Sequence, residues 1–111
     1  MRLPNSELAV VQLRKLIEYC LNPNHPLGKH KAAQFKHKLG LTQKDAPILK
    51  QSLLNGLKVA DAEVRHEDEF GNRYKVDMKI HIKGKSATVA TIWIIPRSGN
   101  IPRLVTCYIK T

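Results

Sequence analysis

The sequence predicts an α+β fold, with about three N-terminal helices packed on one face of a four-stranded antiparallel β-meander. Three observations predict it. Apolar residues recur at helical spacing over roughly residues 5–57, then at every second position over roughly 60–110, and the change follows Gly56. All the helix-like segments precede all the strand-like ones, the order expected of an α+β chain. Short Gly-containing turns separate successive strand-like runs, which is how antiparallel neighbours connect. A chain of 111 residues holds material for one core, so a single domain over 1–111 is expected.

Residues 5–21 read as the first amphipathic helix. Asn5 or Ser6 can cap it, and Leu13, Leu16, Ile17 and Cys20 share a face. Pro23 ends it by disfavouring helical geometry at Asn22. The second helix runs from about Lys29 to Leu39, with Ala32, Phe35 and Leu39 inward and Gly40 as its stop. Thr42 to Asp45 has the form of a capping box, with Asp in place of Glu. It opens a third helix that buries Ala46, Leu49, Leu53 and Leu57. Pro47 falls about one turn in, so the helix is expected to start a residue or two further on.

Ala62–Glu67 is the first strand, closed by a Phe70-Gly71-Asn72 turn. In the second strand Tyr74, Val76, Met78, Ile80 and Ile82 alternate with Arg73, Lys75, Asp77, Lys79 and His81, as in a half-buried strand. Ala87–Ile95 is apolar on both faces, as a central strand should be. It holds Trp93, expected in the core with its N–H seeking a partner at the sheet edge. Pro102–Ile109 is the last strand, and strict alternation groups Leu104 with Thr106, Tyr108 and Lys110.

Composition narrows the function classes. No apolar run approaches the roughly 20 residues of a membrane span. Gln12, Arg14, Lys15 and Glu18 interrupt what would be a signal peptide's apolar centre, so a cytoplasmic protein is expected. Cys20 and Cys107 lie in apolar patterns with no CxxC pair, which points to buried free thiols rather than a zinc site or a nucleophile. No His/acid spacing supports a metal site, and Gly71, Gly84 and Gly99 belong to hairpin turns rather than to a phosphate loop. Nineteen Lys+Arg against nine Asp+Glu give a net charge of +10, which favours a polyanionic partner such as nucleic acid, or an acidic protein. At 5% aromatic, the chain is poor in rings for a broad base-stacking platform.

The stretch LNPNHPLGKHKAAQFKHKLG, residues 21–40, holds three of the five histidines. His25 precedes a helix start, where one ring nitrogen can bond to the backbone while the other exchanges protons. Lys29, His30 and Lys31 fall in the first helical turn. Backbone N–H groups there favour an anion, while the helix dipole opposes the basic side chains. Two readings follow: an anion-binding centre, or a turn histidine with solvated lysines around it. Lys36, His37 and Lys38 suit the dipole at the helix's other end and read as a solvated face.

The motifs Asn22-x-x-His25-Pro26-x-Gly28-x-x-Lys31-Ala32 and Trp93-Ile94-Ile95 with Pro102-Arg103-Leu104-Val105-Thr106-x-Tyr108 resemble a family of small bacterial domains of unknown function. More loosely, helices before a four-stranded meander, an early His and Lys, and Thr-x-Tyr on the last strand are similar to the barnase/EndoU/colicin/RelE superfamily. Those are metal-independent ribonucleases, often toxins. That resemblance implies a nuclease without metal or cofactor, cutting RNA by attack of its own 2′-hydroxyl. It implies His25 as acid/base, Lys31 stabilising the phosphorane, and Thr106 and Tyr108 positioning the phosphate. Lys29, His30, Arg73 and Lys75 would hold the substrate. An acidic immunity protein or antitoxin would be the natural protein partner. The alternative is a non-catalytic basic module that binds nucleic acid or an acidic protein, its affinity falling steeply with salt.

Overall fold

Every second residue along the second strand is buried, and that alternation decides where the helices sit. The computed structural model describes residues 1–111. Its strands are β1 (Ala62–Asp68), β2 (Gly71–Ile82), β3 (Lys85–Pro96) and β4 (Arg103–Ile109), antiparallel in the order β1-β2-β3-β4. Tyr74, Val76, Met78, Ile80 and Ile82 of β2 are buried. In register with them stand Val89, Thr91 and Trp93 of β3, then Leu104, Cys107 and Ile109 of β4. Against this face pack α1 (Leu13–Lys15, continued by a π-helical turn, Leu16–Cys20), α2 (Lys29–Leu39) and α3 (Ala46–Leu57). The result is the expected α+β arrangement, with a core of 23 buried residues running from Leu3 to Ile109.

α3 shows how sequence becomes packing. Leu49, Leu53 and Leu57 recur at four-residue spacing and are all fully buried, each contributing about 1.5–3 kcal/mol relative to exposure. α3 starts beyond the capping box, as the position of Pro47 suggests. Gln43–Asp45 forms a separate 3-10 turn, so α3 opens at Ala46 and Pro47 falls in its first turn, where no N–H is required. The Asp45 carboxylate accepts the Thr42 N–H at 2.9 Å and the Lys83 ammonium at 2.9 Å, tying the helix start to the β2–β3 turn. Both contacts hold the Asp45 carboxyl below its ordinary value, the Thr42 N–H most of all.

Other expectations are corrected. The first helix does not run from residue 5. Ser6–Leu8 is an isolated 3-10 turn, and Val10 instead bridges Arg103 in parallel, its N–H donating to Pro102 O at 2.9 Å. Val10 and Val11 are β-branched and suit extended backbone, and the outer edge of β4 supplies partners for it. The first hairpin turns at Glu69-Phe70, with Gly71 already in β2. Trp93 is fully buried as expected, but its N–H donates to Thr91 Oγ1 at 2.7 Å within the sheet, not at an edge. Thr91 in turn donates its hydroxyl hydrogen bond to Val76 O at 2.7 Å, so no polar atom of the pair is stranded.

The last strand does not alternate strictly. A bulge at Val105 shifts the register between Ile92 and Trp93, so that Leu104 joins Cys107 and Ile109 inside. Thr106 and Tyr108 stay on the opposite face, in line with Lys75 and Asp77 across the sheet, and at the β4 edge they meet the end of α1 and the first turns of α2.

Candidate functional site

The turn before α2 is organised by a side chain. His25 Nδ1 accepts the N–H groups of Leu27 at 3.0 Å and Gly28 at 2.9 Å, and the His25 carbonyl accepts the N–H of Lys29 at 3.0 Å. The expected backbone contact of a turn histidine is therefore present. These bonds also consume amides that the helix start would offer an anion. Any anion here must be held mainly by side chains. With Nδ1 an acceptor twice over, the neutral ring carries its proton on Nε2 and meets a ligand as a donor.

Gly28 has a steric reason to be glycine. A Cβ there would stand 2.5 Å from Tyr19 O and 3.1 Å from the Tyr19 ring, so the turn is seated directly on the end of α1. The π-helical turn puts Tyr19 at that point: the Leu21 N–H reaches back five residues to Leu16 O at 2.8 Å, widening the helix. The Tyr19 ring meets His25 edge-on, with centroids 4.8 Å apart. The Tyr19 hydroxyl accepts a hydrogen bond from Lys31 Nζ at 2.7 Å. Lysine has donors only, so the phenol keeps its own O–H free to donate, and Lys31 keeps two N–H groups. Lys31 Nζ also lies 4.6 Å from the Tyr19 ring centroid and 6.0 Å from that of Tyr108.

Thr106 joins the group through its neighbour, its Oγ1 standing 4.0 Å from Cys20 Sγ. Cys20 and Cys107 are free and buried, which removes both as accessible nucleophiles. The Cys107 thiol, aided by its own backbone N–H, the Thr106 hydroxyl and the Lys31 charge, makes Cys20 the more acidic of the two against the opposing effect of burial. Hydrogen bonding to Cys20 and burial push Cys107 upward.

His25, Lys31 and Tyr108 are thus linked around Tyr19 where α1 ends, α2 begins and β4 forms the sheet edge, while Thr106 reaches Cys20 and lines neither neighbouring cavity. Tyr19 stands at the centre of the group and was not among the residues singled out from sequence. A helical period of 3.6 cannot place a residue in a π-turn, although the need for a glycine at position 28 was a trace of it. Lys29 and His30 are exposed on the first turn of α2, and His30 shares a cavity of 320 Å³ with Lys31, Gln34 and Tyr108. A second cavity, of 360 Å³, lies on the side of Tyr19 and His25 and includes Arg14 and Lys15. Arg73 and Lys75 lie on the helix-free face of β2, about 10 Å from β4 across two strand spacings. Each faces a carboxylate: Arg73 bonds Asp68, and Lys75 is 3.7 Å from Asp77.

A family model described as Domain of unknown function (DUF6883) matches residues 2–111. Among solved structures, the chain is similar to one from a contact-dependent growth inhibition toxin–immunity protein complex from Klebsiella pneumoniae 342. The two share 16% identity and superpose with a TM-score of 0.70 over 91% of this chain and 99% of the other, a likeness of fold. No curated protein matches the sequence significantly.

Proposed function

The chain belongs to this family of unknown function, and from that premise we propose that it is a toxin-class domain that binds RNA and cuts it without a metal. The observation that carries this is the hydrogen-bonded Lys31–Tyr19 pair, with His25 against the Tyr19 ring and the Tyr108 ring 6.0 Å from Lys31 Nζ. In this reading Lys31 meets a phosphate with its two remaining N–H groups, and His25 Nε2–H and Tyr108 add neutral donors, with Thr106 further along β4.

In this reading the RNA 2′-oxygen attacks the adjacent phosphorus, and the bond to the 5′-oxygen breaks. The 2′-hydroxyl proton passes to water. The Tyr19 O–H delivers a proton to the departing 5′-oxygen, and water later restores it. Lys31 stabilises both the negative charge of the phosphorane and the transient phenolate beside it. His25 serves as a donor and as the organiser of the turn.

The fold shared with a member of a toxin–immunity complex fits either side of such a pair. The net charge of +10 favours the side that meets RNA. A second reading, a basic module that binds RNA or an acidic protein without turnover, draws on one observation: His25 Nδ1 is fully engaged and supplies no general base.

Incubating the protein with mixed RNA in EDTA, beside Lys31→Met and Tyr19→Phe variants of matched fold, tests the proposal. Cleavage by the parent, lost in Lys31→Met, supports it. Salt-sensitive retention of RNA without cleavage supports the binding module instead.

A further inference from the structure

We infer that the two cavities beside the Lys31–Tyr19 pair are nucleoside subsites, and that the substrate is single-stranded RNA with adenine preferred beside Gln34. This rests on the reading of the site as one that meets RNA phosphate. The cavities are linked by one cation–phenol contact. Lys31 and Tyr108 line the first, and Tyr19 and His25 line the second, while the Lys31–Tyr19 hydrogen bond joins them. A phosphodiester held at Lys31 therefore has two concavities beside it, one for each nucleoside it links.

The aromatic residues are few but concentrated. Of three tyrosines, Tyr74 is buried in the core, and the half-exposed Tyr19 and Tyr108 both border Lys31, one in each cavity. One ring per nucleoside suffices for stacking, which is how unstacked bases of single strands are held. A duplex keeps its bases paired and stacked, and offers neither ring a free face.

The first cavity also contains a residue that can read a base. His30, Lys31 and Gln34 lie on one side of α2, three and four residues apart, and all three line it with Tyr108. The Gln34 amide presents a donor and an acceptor side by side, which matches the N6/N7 edge of adenine. The second cavity has an amide of its own, Gln12, but it is set among charged side chains, Glu18 included. Arg14, already bonded to Glu18 at 3.0 Å, and Lys15 supply charge there, which suits backbone contact rather than base selection.

Fluorescence anisotropy with labelled oligonucleotides methylated on every 2′-oxygen, and so unable to react, tests this apart from cleavage. The probes are single-stranded oligo-A, oligo-U and oligo-C, and an A·U duplex. Oligo-A should bind about tenfold more tightly than the other strands and than the duplex. Gln34→Ala should reduce oligo-A to the level of oligo-U, while Lys79→Ala, on a remote exposed position of β2, should keep the preference. Duplex binding equal to that of single strands, or an adenine preference that survives Gln34→Ala, overturns the inference. The two readings fail separately. Gln34-dependent preference with RNA left intact in EDTA removes cleavage and keeps the subsite, whereas cleavage without base preference removes the subsite alone.

Discussion

Tyr19 joins the two halves of the site, since one hydroxyl accepts from Lys31 while one ring edge supports His25. Tyr19→Phe removes the hydroxyl and leaves the ring. RNA cleavage should fall about 10²- to 10⁴-fold, the usual range for a general acid, with thermal stability nearly unchanged. Gly28→Ala acts on the same contact from outside. Its Cβ would have to displace backbone 2.5 Å away, so the chain should lose about 1–3 kcal/mol in denaturant titration, and cleavage should fall with it. An unchanged midpoint and full activity would show that the turn does not seat on Tyr19 as described. His25 and Lys31 stand out in the sequence because a rigid Pro/Gly turn and lysines set against a helix dipole are local signals. Tyr19 does not, because its position depends on the π-turn and on a neighbour nine residues further on.

The elements show the same division. α2, α3 and the meander follow from periodicity and turn residues, since their burial patterns are the ones their spacing predicts. The first helix and the face of Leu104 do not, because each is settled by a partner far along the chain. Val10 is drawn to the β4 edge, and the bulge at Val105 turns one residue of β4 over. Asp45 is the element-level hinge between α3 and the β2–β3 turn. Its carboxyl is held below the ordinary 3.8, so its contribution is fully present above that value and is lost as pH falls through the lowered one. Asp45→Asn should therefore cost about 1 kcal/mol near neutral pH and progressively less in acid, read as the difference in urea midpoint between parent and variant across pH. A difference independent of pH would remove the carboxylate from this role.

For the whole molecule, charge and fold work together. Nine acidic groups are set against nineteen basic ones, and several of the acids are engaged locally: Asp68 with Arg73, Asp45 with Lys83, and Asp77 with Lys110. Unpaired lysines of α2 then set the field around the Lys31 pair. Affinity for an uncleavable RNA should fall by orders of magnitude between low and physiological salt, with a linear dependence of log K on log salt. Lys36→Ala, away from Lys31 on the same helix, should lower the slope by about one while sparing any base preference. A salt-independent affinity would mean that the charge serves something other than a polyanion.

The central claim, that the Lys31–Tyr19 pair supports attack by the RNA's own 2′-hydroxyl, is tested most directly by changing one atom of the substrate. An RNA cut by the protein in EDTA would be compared with the same RNA carrying a single 2′-deoxy nucleotide on the 5′ side of the cut. The mechanism requires cleavage at that position to vanish while neighbouring sites are still cut. Cleavage persisting at the 2′-deoxy position would contradict it, because the attacking oxygen would then have to come from elsewhere.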